Sequence, residues 1–430
     1  MAVQLDSTAL SAVTKQKYTQ RRFNLLCFPD NPLFALIPKI TDFGGKNKVI
    51  GVRNAVPQGR GPSIAIAQAA KTASIYNGFV VTRAFDYGTA TITGEAIKAA
   101  KGDENTLIEG LTKEIDGTIH NVMRNLAICM YRNGGGQRGQ ISTATSFTFP
   151  GLGGATISVG VAQTVVQLVN FTDAQNFEPG MQVGLSADDG TGGAGLRTGG
   201  VTMVTITNVD RDNGLLTANV AWNTITLAAA SDFIFQGAPG VGSDYNAMVK
   251  GLAAWVPLQP PSSTDNFFAV NRSSDTRLFG LRQVGGGAPI EETVALLATK
   301  ISLNGGKPSH LFMNPLDWAQ LVIALSTKAL YPREKVAPNE EPDIGFEAVS
   351  VYGPKGPIKV IADLNCPKGL GYMLQLDTWH LESLGEAPMI LDQDGLTILR
   401  NPNADAFDVR IGYYANVTCE APIWNGVASW

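Results

Sequence analysis

Between residues 134 and 240 the chain contains no lysine and no histidine, and glycine, threonine, valine and alanine dominate its make-up. On both sides lysine, glutamate and amphipathic helical patterning return. The block is bounded by Gly134-Gly135-Gly136 and by Gly237-Ala238-Pro239-Gly240. Short apolar segments within it (164–168, 182–185, 201–209, 215–220 and 233–235) alternate as strands do, with turns at Glu178-Pro179-Gly180 and Asp212-Asn213-Gly214. This predicts a small barrel or sandwich inserted into a host of different character. The host is then discontinuous, built from both ends of the chain.

The host reads as α+β rather than as an alternating parallel sheet. A short helix is predicted around residues 9–18, and Phe28-Pro29-Asp30-Asn31-Pro32-Leu33-Phe34 forces an extended or turning path. Residues 47–56 alternate as a strand, with 78–92 as the return. Strands this long need a surface to pack on, and the nearby sequence supplies none. Leu107, Leu111, Ile115, Ile119, Val122, Leu126 and Met130 then recur every three or four residues, which predicts a helix over 103–131 with Asp103 as its cap. Beyond residue 240, helices are expected at 289–301 and 314–325. Strands are expected at 311–313, 347–352, 358–362, 371–376, 396–399 and 407–414.

At 430 residues the chain has room for two or three domains. Only 16% of residues are charged, against about 25% in ordinary proteins. Either a β-rich surface carries many uncharged polar residues, or much of the surface is covered by other subunits. A net charge of −4 argues against a dedicated nucleic-acid reader. Cys27, Cys129, Cys366 and Cys419 are too scattered for a disulfide framework or a zinc site and read as reduced thiols. The first residues lack the basic and apolar regions of a secretory leader, and no apolar run approaches the ~20 residues of a membrane span.

Catalytic signatures are missing. His120, His310 and His380 have no serine, cysteine or acidic companions at a diagnostic spacing. The one GxGxxG, Gly190-Thr191-Gly192-Gly193-Ala194-Gly195, lies between strands rather than opening a helix, and reads as a flexible loop tip. Adjacent carboxylates such as Asp188-Asp189 and Glu291-Glu292 fit solvated loops and helix ends. No catalytic residue, cofactor or metal is expected, and the chain is read as a non-enzyme.

The order of parts, together with several local runs, resembles the tailed-bacteriophage major capsid proteins of the Hong Kong 97-type fold. The runs are Gly251-Leu252-Ala253-Ala254-Trp255, Phe267-Phe268-Ala269-Val270-Asn271-Arg272-Ser273 and Phe312-Met313-Asn314-Pro315-Leu316-Asp317-Trp318. To these are added Val351-Tyr352-Gly353-Pro354-Lys355-Gly356 and the closing stretch from Asp408 to Pro422. The resemblance covers almost everything outside the insertion. It implies an N-terminal arm (1–43), an extended β-hairpin loop (44–95), a spine helix of the peripheral domain (96–133) and the inserted all-β domain (134–240). The chain would then return to the peripheral domain (241–289), build mainly the axial domain (290–400) and close with a peripheral strand (401–430).

The function so implied is a coat protein that self-assembles into hexamers and pentamers of an icosahedral head around phage double-stranded DNA. Its site would be the virion, assembled in the host bacterial cytoplasm. Phe28, Leu33, Phe34, Arg53, Ile64, Ile66, Phe79 and Arg83 are the candidate intersubunit contacts. The partners are further copies of the chain, together with scaffolding, portal and decoration proteins and DNA held without sequence specificity; no membrane is involved. An encapsulin-like compartment shell and a β-rich carbohydrate-binding protein are the alternatives.

Overall fold

The helical periodicity that begins near residue 107 produces a helix over Ile108–Tyr131, about 36 Å long. In the computed structural model the described residues are 31–93, 108–150, 155–326, 333–334, 348–392, 399–401 and 404–430. The expected helix at 9–18, the Asp103 cap, Cys27 and Phe28 lie outside them. Val122, Leu126 and Met130 are buried along one face of the helix, flanked by half-buried Ile115, Ile119 and Met123.

That face lies on a sheet whose backbone is the long strand Ala406–Cys419. One edge of this strand pairs antiparallel with Ala84–Thr93, from Ala406↔Thr93 to Ala415↔Ala84. The other edge is taken in turn by Leu399–Arg400, Met389–Ile390 and Trp379–Ser383, and Lys39–Ile40 adds a parallel strand beyond the last. Gly88 sits under the helix. A Cβ there would come within 2.7 Å of Thr118 Cγ2 and 2.8 Å of Val122 Cγ2, so the missing side chain sets how closely helix and strand approach.

A second sheet runs in the order Leu281–Val284, Gly426–Ser429, Leu370–Leu374, His310–Met313, Gly356–Ala362, Ala348–Gly353 and Arg333–Glu334. Two of its pairings are parallel and the rest antiparallel. Helices Ile290–Leu303 and Pro315–Ser326 share its core through Val294, Leu297, Ile301 and Leu321. Sheet membership cuts the chain differently from the sequence division at 290 and 400. Leu281–Val284 and Gly426–Ser429 belong to this second sheet, whereas Trp379–Ser383 and Met389–Ile390 belong to the first.

Residues of the lysine-free block form a third sheet with its own core. Its described strands include Val165–Gln167, Gln182–Ser186, Val204–Asp210, Leu215–Ala218 and Phe233–Ala238. Val166, Phe177, Leu185, Ile206, Trp222 and Ile234 cluster between them. Trp222 is 0% exposed and donates its indole N–H to Thr164 O at 3.0 Å. Buried there, it presents no face on which a sugar could stack.

Two expectations need correction. Residues 78–92 do not form one return strand. Ile75–Val81 pairs back on Lys48–Ala55, whereas Ala84–Thr93 joins the sheet under the helix. The break falls at Thr82, whose carbonyl accepts from Asn416 Nδ2 at 2.7 Å, and at Arg83, which donates to Phe43 O at 2.7 Å. Both contacts turn the chain from one layer into the other.

The GxGxxG segment is also not a loose tip. Asp188 accepts from Ala194 N (2.8 Å), Gly190 N (3.1 Å) and Tyr245 Oη (2.8 Å), and Tyr245 Oη in turn accepts from Gly195 N. The loop is folded around one carboxylate.

The Gly134-Gly135-Gly136 run is a crossing point of three backbones. A Cβ on Gly135 would lie 2.0 Å from Asp189 O, and one on Gly136 would lie 2.0 Å from Asp244 O. Gly190 closes the same contact from the opposite side, where a Cβ would lie 2.1 Å from Gly135 O. Gly135 has no left-handed backbone requirement, so alanine there tests sterics alone. Gly135→Ala should lower stability by about 1–3 kcal/mol, read from the urea midpoint; an unchanged midpoint would mean that the backbones do not cross this closely.

Candidate assembly surface

The hairpin Lys48–Ala55/Ile75–Val81 has a fixed base and an uncovered end. At the base Phe79 is 0% exposed, with its ring 5.0 Å from Trp255 and 6.2 Å from Phe267, both edge-on. Arg272 lies over Phe267 at 4.0 Å and is itself held by Asp265 at 2.9 Å. Val80 N donates to Phe268 O at 2.9 Å, Arg277 donates to Asn54 O, and Lys48 pairs with Glu382 at 2.8 Å. Aromatic packing and ionic contacts thus fix the direction in which the hairpin leaves the body.

Toward its end the chemistry inverts. Helix Ile64–Ala69 is capped by Ser63, whose Oγ accepts from Ile66 N, yet it buries none of its residues. Ile64 is 77% exposed and Tyr76 67%, and Val56, Ile66 and Ile75 are exposed beside them; Val49 is exposed nearer the base. Fully burying an aliphatic side chain of this size yields about 1.5–3 kcal/mol. The hairpin forgoes that several times over within one chain.

The contacts expected from sequence therefore divide. Ile64 and Ile66 are exposed at the hairpin end, and Arg53 is exposed on its strand. Leu33, Phe34 and Phe79 are instead buried in the chain's own core, which corrects their reading as free anchors. The reason lies in helix Pro32–Leu36, which Asp363 holds by accepting from Leu33 N at 3.2 Å, while Lys39 covers the Phe34 ring at 4.0 Å. Arg83 is engaged with Phe43, through its carbonyl and over its ring. Sequence reasoning missed Val49, Val56, Ile75 and Tyr76, although the alternation of 47–56 placed Val49 on a face of its own. It also missed Phe85 and Tyr87, exposed on the sheet face away from the helix, with Tyr414 5.6 and 6.1 Å from their rings.

The third sheet is clamped to the C-terminal half of the long helix. Glu178 receives Arg124 at 2.6 Å and Arg211 at 2.8 Å, Arg132 pairs with Asp173 at 2.7 Å, and Asn133 donates to Asp189 at 2.6 Å. Deeper in, Arg138 donates to Asn125 Oδ1 at 2.7 Å and to Asp244 Oδ2 at 3.3 Å, while Asn125 Nδ2 donates to Asp86 Oδ2 at 2.7 Å. Asp244 thus meets the guanidinium directly and Asp86 reaches it through the Asn125 amide. Burial pushes the Asp86 carboxyl up to about 6 and raises Asp244 as well.

His120 is exposed on the helix and lines a cavity of about 290 Å³ together with Arg124, Glu178, Met181 and Gln236, where Glu178 is engaged by Arg124 and Arg211. Burial pushes His310 down to about 4 and Cys129 up to about 12, which leaves both neutral and inert at pH 7. Cys129, Cys366 and Cys419 are free and buried. Among the described residues no His, Cys, Asp and Glu cluster could hold a metal, and no described helix is long and apolar enough to cross a membrane.

No protein-family model and no curated sequence matches the chain. Solved structures do. The capsid asymmetric unit of cyanophage A-1(L) aligns over 99% of both chains with a TM-score of 0.56 at 11% identity. The chain has the Hong Kong 97-type capsid fold. The capsid of a native GTA particle (TM-score 0.49, 6% identity, 100% of this chain and 99% of that one) is also similar. So is the SrpI encapsulin of Synechococcus elongatus PCC 7942 (0.46, 8%, 100% and 96%). At such identities the likeness is one of fold. This version of the Hong Kong 97-type fold keeps a helix-backed sheet, a second mixed sheet and a projecting hairpin.

The Asp86 site gives a pH dependence with a definite sign. A carboxyl whose folded pKa is raised contributes stability that is present below its unfolded value near 4 and is lost as pH rises through about 6. Asp86→Asn keeps an oxygen to accept from Asn125 and removes the charge. The variant should match the parent near pH 4 and exceed it at pH 8 by up to about 3 kcal/mol, seen in denaturant titrations at both pH values. A stability difference that stays constant from pH 4 to 8 would show that Asp86 does not titrate in this range.

Proposed function

We propose that this chain is the major capsid protein of a tailed phage, a non-enzymatic subunit that assembles into hexamers and pentamers of an icosahedral head around double-stranded DNA. The observation that carries the reading is the hairpin: rigidly fixed at its base and apolar at an end that its own chain leaves bare, on a capsid fold. A neighbouring subunit is the surface such an end requires. In this reading the hairpin Lys48–Ala55/Ile75–Val81 is the extended loop and 96–133 the spine helix. The sheet built on Ala406–Cys419 belongs to the peripheral domain, and much of 290–400 forms the axial domain. Residues 1–43 are the arm. Scaffolding, portal and decoration proteins are further partners, and the virion, assembled in the host cytoplasm, is the location.

Residues 134–240 are then an inserted β-domain. They hold seven carboxylates and three arginines, so the whole formal net charge of −4 resides in this block and the rest of the chain is balanced. Arg138, Arg197 and Arg211 are all paired with carboxylates. A surface of that sign is repelled by a packaged polyanion. The β-domain is accordingly placed on the outer side of the shell, where it strengthens contacts between subunits.

The test is electron microscopy of purified protein co-expressed with a scaffolding protein, alongside size-exclusion chromatography. Closed shells or capsomer rings are expected, and nucleic acid rather than cargo protein inside shells from infected cells separates a phage head from an encapsulin-like compartment. Ile64→Ser with Ile66→Ser should leave monomer stability within about 0.5 kcal/mol, because both positions are exposed, yet abolish particles. Undiminished particle yield from that variant would remove the hairpin from the assembly contact.

A further inference from the structure

From residue 139 to residue 172 no residue is charged. Within this stretch Ser146–Thr148 and Thr156–Ser158 pair with each other, Ser146↔Ser158 to Thr148↔Thr156, as a two-stranded ribbon separate from the main sheet of the β-domain. Phe149 N donating to Ala155 O at 2.9 Å and Val159 N donating to Thr145 O at 3.0 Å extend the ladder at either end. Buried Val159 roots the ribbon in the domain. Ser146, Thr148 and Ser158 are exposed, and half-buried Phe147 and Phe149 meet edge to face at 5.2 Å to give it one aromatic face.

Two strands alone are marginally stable, and exposed strand edges in soluble proteins ordinarily carry lysine or other charges that block further pairing. The described strands of this ribbon carry none, although the same domain places carboxylates freely elsewhere, at Asp188, Asp189, Asp210 and Asp212. The omission is local to the ribbon. It also selects the occupant. Two copies of a domain with net charge −4 repel one another wherever carboxylates face each other, and the ribbon is a surface on which an identical copy meets no like charge. Serine and threonine side chains along both strands are equally suited to their own kind.

We propose that this ribbon pairs edge to edge with the same ribbon of a second copy about a two-fold axis, which extends two strands to four. The contact rests on the shell-subunit reading and names one interface within it. It is isologous, so any charge placed on the ribbon faces its own image.

That property supplies the experiment. Full-length protein carrying Ser146→Lys with Thr148→Lys, and a second variant carrying Ser146→Glu with Thr148→Glu, are assembled separately and as an equimolar mixture. Self-association is followed by analytical ultracentrifugation, and folding by thermal melting. Each variant alone should assemble at least about tenfold less well than the parent, and the mixture should recover to near the parental level. Variants that assemble as well as the parent, or a mixture no better than its poorer component, would overturn the proposal while leaving the shell reading intact. If either charged variant melts early, the double variant S146C/T148C decides. An oxidised covalent dimer in assembled material supports the contact, and its absence refutes it. A parent that stays monomeric even with a scaffolding protein would bring down both readings.

Discussion

The packing of helix Ile108–Tyr131 on the paired strands Ala84–Thr93 and Ala406–Cys419 is the contact on which the rest of the molecule depends. It brings together segments separated by more than three hundred residues, so everything between them leaves this layer and returns to it. The third sheet and the second mixed sheet are such excursions, and the first sheet closes only when Trp379–Ser383 comes back to the far edge of Ala406–Cys419. The closeness of the helix is set by Gly88, where any side chain would meet Thr118 and Val122. Because the decisive pairing is so remote in sequence, its loop-closure entropy is incurred before most native contacts can offset it.

Around that layer the protein attaches its other parts by different mixtures of force. The hairpin base combines aromatic burial, with Phe79, Trp255 and Phe267 in mutual edge contact, and the ion pair of Lys48 with Glu382. The lysine-free domain is held by directional charge, through Arg124, Arg132 and Arg138 and the carboxylates of the domain and its flank. Apolar contact tolerates small rotations, whereas ion pairs at 2.6–2.7 Å fix orientation.

Much of this was legible from local pattern. The three-and-four spacing through Ile115, Ile119, Val122 and Leu126 specified a helix because one face of a 3.6-residue repeat must be buried. Asp212-Asn213-Gly214 marked the hairpin between Val204–Asp210 and Leu215–Ala218. The sudden loss of lysine marked the block that has its own core. The residues of the candidate surface were only half legible. Ile64 and Ile66 stood out as apolar residues in a short segment with no local partner, but Leu33, Phe34 and Phe79 carried the same signature and are buried. The difference lies in Asp363 and Trp255, which are remote in sequence and decide whether an apolar side chain finds cover.

The sequence by itself determined the long helix and most strands of the lysine-free block, since each follows from the order of neighbours along the chain. The tertiary structure alone decided that residues 78–92 divide between two layers, that the glycine run at 134–136 is a crossing of three backbones rather than a slack boundary, and which apolar side chains remain bare. Hydrophobic periodicity states that a face must be covered without naming the surface that covers it. That choice depends on the geometry by which distant segments meet, and among the described residues no segment comes to meet the hairpin end.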